Sequence, residues 1–151
     1  MDVNNSNIFD VLTQKYPLAF KGFDQSNYYS FIPSGWVSLI DRFCKEITPV
    51  LEESYSKYPL EDGQSGFQFA QIKEKFGTLR IYFDCMSNDP KLYDIITEAV
   101  QRYEWESSRI CEQTGEVGTI CVRNIWLKTL SPTLQKEHGY KPYDPEKDSI
   151  I

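Results

Sequence analysis

The sequence predicts an α+β fold in which two long helices pack on one face of a small antiparallel sheet built around a β-hairpin. Three observations carry that expectation. Trp36, Leu39, Ile40, Phe43, Cys44 and Ile47 recur at helical spacing, and so do Leu92, Ile95, Ile96, Ala99, Val100 and Tyr103. Between the two stripes, residues 70–83 alternate apolar and polar around Phe76-Gly77, the period-two pattern of a half-buried hairpin.

Taken in order, the first element is a short helix from Ser6 to Tyr16, with Ile8, Phe9, Leu12 and Tyr16 as its stripe, Ser6 placed to cap it and Pro17 to end it. Residues 18–33 are irregular and aromatic, with Phe20, Phe23, Tyr28, Tyr29 and Phe31 punctuated by Gly22, Asn27 and Pro33, which suggests a packed loop able to wall a pocket. The stripe from Ser34 resumes after Pro49 at Leu51, Tyr55 and Tyr58, predicting a long helix that bends at Pro49 and ends at Pro59. With Phe76-Gly77 as a two-residue turn, Lys75 pairs with Thr78, Glu74 with Leu79, Lys73 with Arg80, Ile72 with Ile81, Gln71 with Tyr82 and Ala70 with Phe83. This register gathers Ala70, Ile72, Leu79, Ile81 and Phe83 on one face and Gln71, Lys73, Lys75, Thr78, Arg80 and Tyr82 on the other. Asp89-Pro90 opens the second long helix, which runs to about Arg109. Cys111 to Gly118 is turn-rich, Thr119 to Val122 and Ile125 to Leu127 read as strands, and Ser131-Pro132 opens a last short helix. A single domain therefore spans residues 1–139, and the polar tail 140–151 is expected to be flexible unless Tyr140 or Tyr143 docks.

Composition narrows the function classes. The chain has 151 residues, ten Tyr, nine Phe and three Trp, enough apolar material for a real core and against intrinsic disorder. A net charge of −6 disfavours general binding to nucleic acid or anionic membrane, so any basic site must be local. No apolar run approaches the roughly 18 residues of a membrane span, and the start Met1-Asp2-Val3-Asn4-Asn5 lacks the pattern of a signal peptide, so a cytoplasmic protein is expected. Cys44, Cys85, Cys111 and Cys121 form no C-x2-C pair; Cys44 sits on a helix stripe, and reduced thiols are expected throughout. No phosphate-binding loop, dinucleotide fingerprint or nucleophile–base spacing is present, so neither catalysis nor a cofactor is expected. Glu52-Glu53 and Glu104 with Glu106 read as solvated helix faces, and His138 as a solvated histidine.

The polar hairpin face is the feature that points to a ligand. Lys73 and Arg80 stand directly opposite each other with Lys75 one pleat away, and like charges across an antiparallel pair repel. Either some of the 22 carboxylates offset them, or the face receives an anion. In the second case Arg80 supplies a bidentate contact, Lys73 and Lys75 add charge, and Gln71 and Tyr82 supply hydrogen-bonding and stacking edges. The aromatics of residues 20–36 would then form a stacking wall.

The run Gln71-Ile72-Lys73-Glu74-Lys75-Phe76-Gly77-Thr78-Leu79-Arg80-Ile81-Tyr82-Phe83 resembles a sequence in a family of small bacteriophage and prophage proteins. Gly35-Trp36, Ile110-Cys111-Glu112 with Gly115, and Trp126-Leu127-Lys128-Thr129-Leu130 are similar to that family in the same order, so the resemblance covers about residues 35–131. Members commonly carry a C-x2-C-G knuckle and two later ligands that look like a structural zinc site. This chain keeps only Cys111; Thr114 and Ser131 stand at the second and third positions and Gln135 close to the fourth, none a usual zinc ligand, so no zinc is expected. A different site made by Cys111, Cys121 and His138 is the remaining metal reading. The resemblance implies an accessory protein that interferes with a host system. Together with the cationic face, it leads to the expectation of a homo-oligomeric binder that sequesters a phosphorylated, nucleotide-like host signal without turnover. Three other classes stand beside it: an acidic inhibitor of a host protein, a nucleic-acid-associated relative of the zinc-knuckle proteins, and a hydrolase that borrows a metal.

Overall fold

The computed structural model describes residues 5–26 and 29–148. Helix α1 spans Asn5–Lys15, a 3₁₀ turn Ser34–Trp36 leads into α2 at Val37–Lys57, and the hairpin is β1, Gly66–Lys75, with β2, Thr78–Met86. Helix α3 covers Leu92–Ser107, followed by β3 at Thr119–Arg123, β4 at Trp126–Leu130, α4 at Pro132–Glu137 and β5 at Lys141–Pro142. The α+β expectation with two long helices holds, but the strands form two antiparallel sheets, β1-β2 and β4-β3-β5.

Helix α1 starts one residue before the expected cap, so Ser6 lies inside it. Helix α2 runs on through Pro49 and buries Leu39, Ile40, Phe43, Cys44, Ile47 and Leu51, the stripe that its spacing dictates. Phe43 is its anchor: the ring meets Phe67 at 6.2 Å, Phe69 at 5.9 Å and Tyr103 of α3 at 5.7 Å between centroids. Helix α3 lies along the free edge of β2, where Ser107 Oγ accepts the Leu79 N–H and Glu104 Oε2 accepts the Ile81 N–H, each at 2.9 Å. Edge amides that would otherwise invite another strand are thereby satisfied.

The hairpin register holds from Lys75↔Thr78 through Gln71↔Tyr82, and then departs from expectation. Phe83 pairs with Phe69 rather than Ala70, because Ala70 bulges. The cause is spacing: Phe67 and Phe69 are both buried with Ile72, and Ile72 follows Phe69 by three positions rather than two, so one extra residue must leave the ladder to keep all three on the core face. The turn residues Phe76 and Gly77 both take positive φ, 53° and 81°, the geometry of a tight two-residue hairpin loop.

The aromatic loop divides. Phe20 and Phe23 join the core against Phe9 and Phe69, whereas Tyr29 and Phe31 stay exposed. Asn27 and Tyr28, singled out above, lie outside the described residues, as do residues 1–4 and 149–151. Beyond Gly139, Tyr140 packs on a small cluster of Cys111, Cys121 and Leu130, and β5 pairs with β3, so the docking of Tyr140, the exception set against a flexible tail, is what the structure has. The Arg123 guanidinium over the Tyr140 ring, 4.7 Å from its centroid, adds to that docking. No helix among the described residues is long and apolar enough to cross a membrane.

Candidate functional site

The two regions meet at Gly35-Trp36. The Gly35 N–H donates to the Glu112 carbonyl at 2.8 Å, and Trp36 Nε1 donates to the Ile110 carbonyl at 2.8 Å. A Cβ on Gly35 would stand 2.0 Å from the Cys111 carbonyl oxygen, so only glycine allows the link 110–112 to lie this close. Glu112 is locked from the other side as well, its N–H donating to the Thr129 carbonyl of β4 at 2.9 Å.

This joint creates a cleft of about 400 Å³. One wall is the loop segment with Tyr29, Phe31 and Pro33; the other is the rim of β1 with Gln71, Lys73 and Glu74; Glu112 and Lys128 complete it. The loop is fastened to the β1 edge by the Phe31 N–H to the Ile72 carbonyl at 2.8 Å and by Ser30 Oγ, which accepts the Ile72 N–H at 3.0 Å. Tyr29 is 75% exposed and has φ 52°, an uncommon conformation for a bulky residue and one that recurs at ligand clamps.

The charges are arranged unevenly. Glu112 is only 6% exposed; one carboxylate oxygen accepts Lys128 Nζ at 3.3 Å and the other the Thr129 N–H at 3.2 Å. Burial pushes its carboxyl above the ordinary range, against the pull of Lys128, and nearby Glu74 pushes the same way. For Lys128, burial alone would lower its pKa, but Glu112 and Glu74 more than offset that and hold its ammonium charged. Among the described residues no ion pair involves Lys73, Lys75 or Arg80.

Of the expected ligand-binding residues, Gln71 and Lys73 line the cleft. Lys75, Arg80 and Tyr82 do not: Arg80 and Tyr82 belong to β2, on the far side of the hairpin from the β1 edge where the cleft opens, and Lys75 ends β1 at the turn. Lys75 sits 5.5 Å from the centroid of the exposed Phe76 ring, Tyr82 is exposed, and Arg80 is half-buried within electrostatic reach of Glu104. Its Nε is buried without a hydrogen-bond partner among the described residues. The basic face thus has an acid beside Arg80 and an open cleft beside Lys73. Glu112 and Lys128 were missed as site residues. Nothing local in the sequence says that residues 110–112 and 126–130 converge on β1.

The knuckle positions also come together, but with a different chemistry. Burial would raise the Cys111 thiol, yet hydrogen bonds from the Thr114 hydroxyl and from the N–H groups of Thr114, Gln113 and Ser131 hold it below its ordinary value. Ser131 Oγ caps α4 by accepting the Leu134 N–H at 3.3 Å, and Gln135 Nε2 donates to Thr119 Oγ1 at 2.8 Å and to the Leu130 carbonyl at 2.9 Å. One thiol, two hydroxyls and a committed carboxamide do not fit zinc. The alternative set fails too: no group of three His, Cys, Asp or Glu among the described residues is placed to hold a metal, and His138 is exposed.

The fold and the cleft define a small α+β domain with a ligand-sized recess at the edge of its hairpin. Comparison of the chain with protein-family models, with curated proteins and with solved structures finds no match.

Proposed function

We propose that the protein is a binding module that takes a phosphorylated, nucleotide-like small molecule into the cleft at the β1 edge and holds it without turnover. The observation that carries this reading is the juxtaposition of an exposed aromatic wall, Tyr29 and Phe31, with Lys73, a lysine that has no ion-pair partner among the described residues. A planar base stacks on the rings while a phosphate meets the ammonium group. The volume of about 400 Å³ falls within the size range of small-molecule sites. A net charge of −6 still opposes a long polyanion, which favours a small anion over nucleic acid. The resemblance to bacteriophage proteins supports a counter-defence role in the host cytoplasm, in which binding withdraws a host signal from circulation.

The test is a thermal-shift series with mono-, di- and cyclic nucleotides on wild type, Lys73→Ala and Arg80→Ala, with native mass spectrometry of the stabilised complex. A rise in melting temperature that Lys73→Ala abolishes and Arg80→Ala only weakens is expected. The complex mass reads both an intact ligand and the number of protomers that hold it. No response across the panel would overturn the reading and favour a host protein as the partner, and a mass corresponding to cleaved ligand would replace binding with hydrolysis.

A further inference from the structure

We propose that the Glu112 carboxylate selects the base of that ligand, favouring a guanine-type edge with two adjacent N–H donors; this rests on the binding reading above. Glu112 is 6% exposed and lines the cleft, and its backbone is held by Gly35 on one side and Thr129 on the other. Its side chain is pinned by the Lys128 ammonium and the Thr129 N–H, one to each oxygen. An ionised carboxylate only accepts hydrogen bonds, and its two oxygens offer about four lone-pair positions. Two are taken by Lys128 and Thr129, and because Glu112 lines the cleft its remaining acceptor capacity is what a bound base would meet.

The common bases differ in what they would present to such a pair. Guanine offers its ring N–H next to its exocyclic amine, two parallel donors. Adenine and cytosine each offer an amine beside a ring-nitrogen acceptor, uracil offers a single N–H between two carbonyl acceptors, and hypoxanthine offers a single N–H between one carbonyl and a C–H. An acceptor brought against a carboxylate oxygen is repelled, and a buried oxygen that loses its water without gaining a donor is left unpaired. Polar groups of this kind reject the wrong partner more strongly than an apolar pocket does. Tyr29 and Phe31 stack on any base, so they contribute affinity while Glu112 contributes discrimination.

Isothermal titration of the full chain with GMP, IMP and AMP reads the inference directly. GMP and IMP differ by the exocyclic amine alone. GMP is expected to bind about tenfold or more tightly than either, the scale of a bidentate base contact. Glu112→Gln replaces one acceptor by a donor and is expected to remove the GMP preference and to improve AMP relative to GMP; a melting curve for that variant establishes that it folds, and the wild-type comparison needs no variant at all. Equal binding of the three nucleotides would overturn base selection and leave the binding reading standing. Binding of none of the three while another nucleotide of the wider panel stabilises the protein would overturn base selection alone, and no response to any nucleotide would overturn both readings.

Discussion

The region around α2 and the region around β3 are held together by different physics. In the first, α1, α2, α3 and the hairpin share one continuous apolar core in which Trp36, Leu39, Ile40, Phe43, Phe67, Ile72 and Leu79 have no measurable exposure. In the second, the buried apolar residues are Cys111, Cys121, Val122 and Leu130, with Leu134 and Tyr140 against the cluster of Cys111, Cys121 and Leu130. So little apolar surface cannot hold three short strands and a one-turn-and-a-half helix by burial alone. Polar bonds do the rest: Ser131 caps α4, Gln135 ties α4 to β3 and β4, Glu112 and Thr129 tie the 110–118 link to β4, and Thr129 Oγ1 donates to the Gly77 carbonyl of the hairpin turn.

The largest expected effect comes from breaking the first region. Phe43→Ala removes a fully buried ring from contact with three others and leaves a cavity, at a cost of about 3–5 kcal/mol, much of a typical domain's stability. Urea unfolding is expected to show one transition at a much lower midpoint. A midpoint near that of wild type would mean that the core does not organise the whole domain.

A smaller and more local effect is expected from the second region. Gln135→Ala deletes two hydrogen bonds and leaves the buried Leu130 carbonyl without its Gln135 partner, costing about 1–3 kcal/mol. Amide hydrogen exchange then distinguishes the regions: protection is expected to fall in β3, β4 and β5 while Ile72 and Leu79 in the hairpin keep theirs. A uniform loss over both sheets would show that the two regions unfold as one unit and that the contrast between them is only descriptive.

The same contrast explains what could be read from the chain and what could not. The stripes of α2 and α3 and the Phe76-Gly77 turn were legible because periodicity and turn chemistry are local, and a large apolar core rewards them directly. The bulge at Ala70 was also encoded locally, in the three-residue step from Phe69 to Ile72, but only once Phe69 is known to share the core face. The cleft was half legible. Gln71 and Lys73 follow from hairpin register, and the aromatic loop announces a wall, but its attachment to the Ile72 backbone through Ser30 and Phe31 does not show in any pattern. Glu112 and Lys128 enter only through contacts between residues far apart in the chain, and polar bonds of that kind leave no periodicity. Tyr140 was named as a docking residue, but β5 escaped for the same reason, since two strand pairs and one ring contact are enough to dock the segment.

The finest distinction lies between the two carboxylates that satisfy strand amides, Glu104 at the Ile81 N–H and Glu112 at the Thr129 N–H. Each faces one cation, Arg80 for Glu104 and Lys128 for Glu112, and in both burial is the leading influence and raises the carboxyl above its ordinary range. The folded state therefore keeps the Glu104 proton to higher pH than the unfolded chain does, and stability contributed by that proton falls as pH rises from the ordinary carboxyl range, about 4.3, through the folded value. Glu104→Gln keeps an oxygen for the Ile81 N–H and never ionises. Thermal melts of the variant and wild type are expected to agree at low pH and to separate with the variant the more stable as pH rises toward 7, by the smallest margin of the three changes because the side chain is partly solvated. Comparing the two proteins at each pH cancels the opposite trends of Asp41 and Glu46, whose carboxyls lie below the ordinary range. If the variant is instead the less stable at pH 7, the attraction of Arg80 outweighs the cost of burial, and Arg80 is anchored by Glu104 rather than left to a ligand.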